Sequence, residues 1–184
     1  MKKESITIAE KTLFILEKKS WTSLDFNQIV KSAKVAKICL KLNINSKKDL
    51  LININNFFDH KIIKLSKEIE QSNKKDMLFE ILMMRFDILQ NYRKAILNIF
   101  NSFIKNPKEL VLLIPSFIES MILMTNLINL KTNGLKGNLK IKGLLIVYFS
   151  GFLIWRKEKN DSLEKTMTSL DIYLDRVNKI LKIF

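Results

Sequence analysis

Apolar and polar positions follow a helical period along nearly the whole chain, and no stretch alternates every second residue as a strand would. Ile6, Ala9, Leu13 and Phe14 form a first apolar stripe, and Thr7 and Glu10 have capping-box spacing, so a helix is expected to about Lys19. Thr22 and Ser23 precede the next apolar run and are expected to cap a helix from about Leu24, with Phe26, Ile29, Val30 and Ala33 on one face. After a break at Lys34–Val35, a second short helix fits Ala36 to Asn43, with Val35 and Leu40 pointing inward. Ser46 and Asp49 form another capping box, opening a helix at Lys47 whose stripe of Leu50, Ile54, Phe57, Phe58, Ile62 and Leu65 carries it to about Gln71.

Polar residues Ser72 to Lys75 make the next break. Two helices are expected on either side of Gln90–Asn91, and Asn106–Pro107 starts a long one to about Lys131, because proline suits a first helical turn. Thr132 to Asn138, with two of the four glycines, is the clearest loop; helices from about Lys140 to Lys157 and from Asp161 to Phe184 follow. Asp161 and Glu164 again have capping-box spacing. Leu163, Met167, Leu170, Leu174, Val177, Leu181 and Phe184 alternate steps of four and three, a heptad seam, and Gly143, Ser150 and Gly151 would let a partner helix approach closely. The expected class is all-α.

With 47% hydrophobic residues among 184, a core can form. The formal net charge of +14 favours an anionic partner, nucleic acid or an anionic membrane surface, although lysines spread over every helix also suit plain solvated faces. Cys39 is the only cysteine and the N-terminal MKKESITIAEK lacks a long apolar core, so a reducing, cytoplasmic setting is expected. Val111 to Leu130 is apolar over about 20 residues, near bilayer-spanning length, but contains Pro115, Glu119, Asn126 and Asn129; both it and the shorter Gly143 to Trp155 are expected as buried helices. His60 and Cys39 have no carboxylates at ligand spacing, Gly134 and Gly137 lack the Lys-Ser/Thr of a phosphate loop, and no nucleophile elbow or paired carboxylates occur. No catalytic residue, metal or cofactor is expected.

The first fifty residues resemble the N-terminal domain of the TetR family of bacterial regulators. Ile6, Ala9, Leu13 and Phe14 match its first helix, and Thr22, Ile29, Ala33, Val35, Leu40, Ser46, Lys47, Asp49, Leu50 and Leu51 match the rest without a gap. Lys34 stands where the family has glycine, Ala36 where it has serine, Lys41 where it has a phosphate-contacting tyrosine and Ile44 where it has phenylalanine. Further on, Arg85, Phe86, Asp87, Trp155, Asp161, Ser162, Thr166, Met167, Leu170 and Asp171 resemble an alphaproteobacterial branch, similar to the TetR-like lipid-binding accessory proteins of ubiquinone biosynthesis.

The resemblance implies a three-helix, helix-turn-helix headpiece over 1–51 and a helical ligand-binding and dimerisation body over 52–184. It implies a homodimeric, ligand-responsive repressor whose second headpiece helix enters the major groove of DNA. Lys37, Ile38, Cys39, Lys41 and Asn43 are the expected base readers, and Thr22, Lys34, Lys47 and Lys48 the expected phosphate contacts. Met83, Phe86, Phe117, Met121 and Tyr148 are expected to line an apolar ligand cavity, with Arg85 or Glu119 orienting the ligand. The expected dimer interface is Gly143, Gly151, Leu163, Met167, Leu170, Leu174, Val177 and Leu181. The alternative is an accessory protein that binds isoprenoid lipid rather than DNA and touches the membrane through its basic surface and final helix.

Overall fold

In the computed structural model, which describes residues 1–31 and 33–184, every regular element is a helix, and no strand occurs among the described residues. The helices are α1 (Lys3–Leu16), α2 (Phe26–Ile29), α3 (Ala33–Lys41), α4 (Lys47–Leu65), α5 (Lys74–Asn91), α6 (Arg93–Lys105), α7 (Pro107–Val111), α8 (Ile114–Leu127), α9 (Gly134–Trp155) and α10 (Glu164–Leu181), with a 3-10 turn at Ser66–Glu68. Contacts gather into two compact units: Met1–His60 with Asn91–Ser116, and Lys61–Gln90 with Phe117–Phe184. The first unit takes in α6 and α7 as well as residues 1–51.

In the first unit α1 packs on α3 and α6, burying Ile8, Ala9, Leu13 and Leu16. The expected Thr7–Glu10 capping box does not form: α1 already starts at Lys3, and the Thr7 hydroxyl donates instead to the Lys3 carbonyl at 3.1 Å. Thr22 and Ser23 do not cap α2 either. Leu24 turns into the core, the helix starts at Phe26, and the Asp25 carboxylate accepts the Asn27 N–H at 3.1 Å. α3 starts at Ala33 rather than Ala36. Leu40, expected inward, is 68% exposed; Cys39 is the buried residue among the described side chains of α3, and Ile44 is buried just after the helix. Asn43 closes α3 in the left-handed conformation (φ 54°), and the Ile44 N–H reaches back to the Cys39 carbonyl at 2.9 Å.

α4 opens at Lys47 as expected. The Ser46 hydroxyl accepts the Asp49 N–H at 3.2 Å, and the Asp49 carboxylate accepts the Asn45 N–H at 2.9 Å. It ends at Leu65, short of Gln71, where the Ser66 hydroxyl donates to the Ile63 carbonyl and tightens the last turn. Its two buried amides explain the polar positions in its stripe: Asn53 donates to the Ser5 carbonyl at 3.0 Å, and Asn55 to the Ser116 hydroxyl at 2.9 Å.

The expected long helix after Pro107 is two helices. Pro115 has no N–H for the Val111 carbonyl and its ring crowds that carbonyl, so the chain turns at Leu112–Leu113 before α8 begins. Asn129 (φ 53°) and the Leu130 N–H on the Thr125 carbonyl, at 2.9 Å, close α8 at Leu127 rather than Lys131. α9 starts at Gly134, inside the stretch expected as loop. Gly137 lets this first turn lie on the loop, since a Cβ there would stand 1.8 Å from the Thr132 carbonyl oxygen.

In the second unit α9 and α10 run antiparallel along one another: a Cβ on Gly143 would stand 2.6 Å from Leu181 and 2.7 Å from Val177, and one on Gly151 2.7 Å from Leu170. α10 begins at Glu164, and the expected Asp161–Glu164 box is absent. Glu158, beyond the end of α9, supplies the cap; its carboxylate accepts the N–H groups of Lys165 at 2.7 Å and Thr166 at 2.9 Å. Asp161 accepts instead from Gln90, at 2.8 Å, and Gln90 accepts the Trp155 indole N–H at 3.0 Å. By length and composition Pro107–Leu127 (mean hydropathy 1.8) and Gly134–Trp155 (1.3) are apolar enough to cross a membrane. Proline breaks the first, and the second lays its small residues against α10.

Candidate nucleic-acid interface

α3 carries the most basic exposed face of the first unit's short helices. Lys34, Lys37 and Lys41, at spacings of three and four, lie on one side and are all exposed. Leu40 stands exposed between them, Ile38 is half-buried, and Lys48 is exposed at the start of α4. Lys41 reaches Glu4 at 3.5 Å, but both side chains are solvent-accessible, so the pair is weak and leaves the ammonium open to a stronger anion.

Four expected contacts take other roles. Cys39 is 2% exposed: it is the inward residue of α3 and presents nothing to a groove, and burial pushes its thiol above the ordinary range. Asn43 is exposed, but it is the left-handed residue that ends α3, a position asparagine tolerates for backbone reasons alone. Thr22 is exposed within a small hydroxyl cluster with Ser20, away from a helix N-terminus, and the α2 terminus is already occupied by the negative Asp25.

Lys47 turns inward. Its ammonium donates to the Trp21 carbonyl at 2.6 Å and lies 4.5 Å from the centre of the Trp21 indole. Burial lowers its pKa, against the charges of Glu109 and Asp25, which raise it. The Trp21 indole N–H, buried with its ring, donates to the Glu109 carboxylate at 2.8 Å. Glu109 and Trp21 were not among the expected functional residues; a tryptophan in a polar connection before an apolar run was the one available signal.

The expected ligand residues gather only in part. In the second unit Phe86 lies 5.6 Å from Tyr148 and 6.4 Å from Trp155, and Tyr148 lies 6.0 Å from Phe117 and 5.6 Å from Phe149. Arg85 is fully buried beside them, its guanidinium 5.3 Å from the Tyr148 ring. Met121 is buried and Met83 half-buried, but Glu119 faces solvent because α8 turns Ser120 and Met121 inward, so Arg85 is the polar group of this cluster.

The expected dimer residues are largely consumed inside the chain. Gly143, Gly151, Leu163, Leu170 and Leu174 are buried, Val177 and Leu181 are half-buried against Gly143, and only Met167 of that set is exposed. The heptad seam therefore serves α9 of the same chain. The outer side of α9 carries a different apolar row: Leu135, Leu139, Ile146 and Leu153, spaced by four, seven and seven and exposed by 85%, 51%, 63% and 45%. Among the described residues, no group of three or more His, Cys, Asp or Glu side chains could hold a metal.

No protein-family model matches the chain, and no curated protein matches it.

Proposed function

We propose that the chain is a TetR-like, DNA-binding transcriptional regulator of the cytoplasm, acting as a homodimer and answering to a small apolar ligand. The observation that carries this is the exposed row Lys34, Lys37 and Lys41 on α3, a short helix standing where the resemblance puts the reading helix. The helix-turn-helix consists of α2 and α3, with Lys48 as a further phosphate contact. The two copies meet through the outer row of α9, whose Leu139 and Leu153 would pair about Ile146 in an antiparallel, two-fold arrangement. The ligand is recognised beside Arg85, the one buried cation of the aromatic cluster.

The test is a salt titration of binding to the DNA upstream of the protein's own coding sequence. Each of Lys34→Ala, Lys37→Ala and Lys41→Ala should reduce the slope of log affinity against log salt by roughly 0.9 if its lysine meets a phosphate of duplex DNA. Binding that is equal for any duplex and untouched by these substitutions would refute the proposal.

A second proposal is an accessory protein that binds isoprenoid lipid without binding DNA. Asp25 at the α2 terminus and the inward Lys47 favour it, because both remove phosphate contacts expected of a regulator. Organic extraction of the purified protein, followed by mass spectrometry, would reveal a bound quinone or lipid.

A further inference from the structure

Trp21 and Lys47 stand at the two ends of the segment that contains α2 and α3, and they meet. The Trp21 carbonyl accepts the Lys47 ammonium at 2.6 Å and its ring carries the same ammonium at 4.5 Å, so residues 21–47 form a closed loop. The clasp is buried: Trp21 is 1% exposed, and Lys47 is half-buried. A third group holds it from outside the loop. Glu109, on α7, accepts the Trp21 indole N–H at 2.8 Å, and the Asn106 amide fixes the other carboxylate oxygen at 3.2 Å. Among the described side chains of α3 only Cys39 is fully buried. An open loop of this length would regain conformational freedom that the clasp removes.

We infer that Glu109 is a positioning residue for the α3 face: by holding Trp21 it keeps the 21–47 loop closed and α3 in its binding orientation, so that a displacement of α7 would loosen the headpiece. This rests on the nucleic-acid function proposed above, and it assigns Lys47 to the clasp rather than to a phosphate. Glu109→Ala deletes the acceptor, whereas Glu109→Gln keeps an oxygen for the indole N–H. Both are applied to the full chain.

Hydrogen–deuterium exchange is measured first, without DNA. In Glu109→Ala, peptides covering residues 22–31 and 33–41 should exchange about fivefold faster or more, while those of α9 and α10 stay unchanged. Glu109→Gln should restore protection to within about twofold. DNA affinity of Glu109→Ala should fall roughly fivefold or more at an unchanged salt slope, because no phosphate contact is lost. Unchanged α3 exchange, a change spread equally over α9 and α10, or failure of glutamine to restore protection would each overturn the clasp. If the wild-type chain binds no DNA but α3 alone loosens in Glu109→Ala, the clasp stands and the proposed DNA-binding function falls.

Discussion

Replacing Glu158 should unfasten α10 without touching the α3 face. α10 has no side-chain cap of its own: it is preceded by Leu163 in the left-handed conformation (φ 54°), and its first free N–H groups are met only by the carboxylate that Glu158 brings from the end of α9. That carboxylate also accepts the Thr166 hydroxyl at 2.6 Å, and both Glu158 and Thr166 are buried. Loss of an N-terminal cap costs about 1 kcal/mol. A buried N–H left without its partner, here that of Thr166, costs roughly 1–3 kcal/mol more, while the Lys165 N–H lies on an exposed residue where water can replace the carboxylate. Glu158→Ala should therefore destabilise the fold by roughly 2–4 kcal/mol, or about 4–16 °C in Tm for a chain of this size.

The same site makes the loss pH-dependent. Burial raises the Glu158 pKa, but the Thr166 hydroxyl, the two backbone N–H groups and the Lys165 charge outweigh it, and the net value lies below the ordinary 4.5. A carboxyl with a depressed folded-state pKa contributes stability above its unfolded pKa and loses that contribution as pH falls through the folded value. Urea unfolding followed by far-ultraviolet circular dichroism should thus separate wild type from Glu158→Gln at about pH 7, and the two curves should draw together as the pH falls below 4.5 and through the lowered folded-state value. A Thr166→Val cycle should report a coupling of about 0.5–3 kcal/mol between the two side chains. A Glu158→Ala variant within about 0.5 kcal/mol of wild type at neutral pH, or a difference that persists undiminished in acid, would refute the assignment of the cap.

Three further outcomes follow from the packing. Gly151→Ala would place a Cβ 2.7 Å from Leu170 and 3.3 Å from Phe86, so denaturant unfolding should show a loss of roughly 1–3 kcal/mol, whereas Gly134, with open space around it, is limited only by its φ of 70°. Cys39, buried with a raised pKa, should react with a maleimide at about neutral pH many times more slowly in the folded chain than in urea; equal rates would mean that α3 is turned the other way. Ile146→Asp, on the outer side of α9, should leave the circular dichroism spectrum unchanged and convert a dimer to monomers in sedimentation; a dimer that survives it does not use this row.

The all-helical class was legible because periodicity reports which residues share a face, and the α4 opening was legible because Ser46 and Asp49 sit next to the helix they cap. Other caps failed for one physical reason. A capping residue read from spacing is only a local signal, and at Thr7, Thr22 and Asp161 a competing group settled the terminus: an earlier helical start, the inward turn of Leu24 followed by Asp25, and Glu158 arriving from the end of the preceding helix. The break before α8 was readable in Pro115, and the ends of α3 and α8 in an asparagine followed by a buried apolar residue, Ile44 and Leu130.

The face of a helix is a subtler quantity than its existence. In α3 the inward residue is Cys39 rather than Leu40, and Lys34, Lys37 and Lys41 lie together outside. In α9 the two stripes are both apolar, so hydrophobicity alone could not say which one the chain would bury. Glycine marks it: Gly143 and Gly151 lie on the inner side, where Leu181, Val177 and Leu170 of α10 come within 2.6 to 2.7 Å of where a Cβ would stand. The row left outside, Leu135, Leu139, Ile146 and Leu153, offers bulk rather than close approach, which suits it to side-chain packing against another surface and not to the tight backbone contact that the small residues permit.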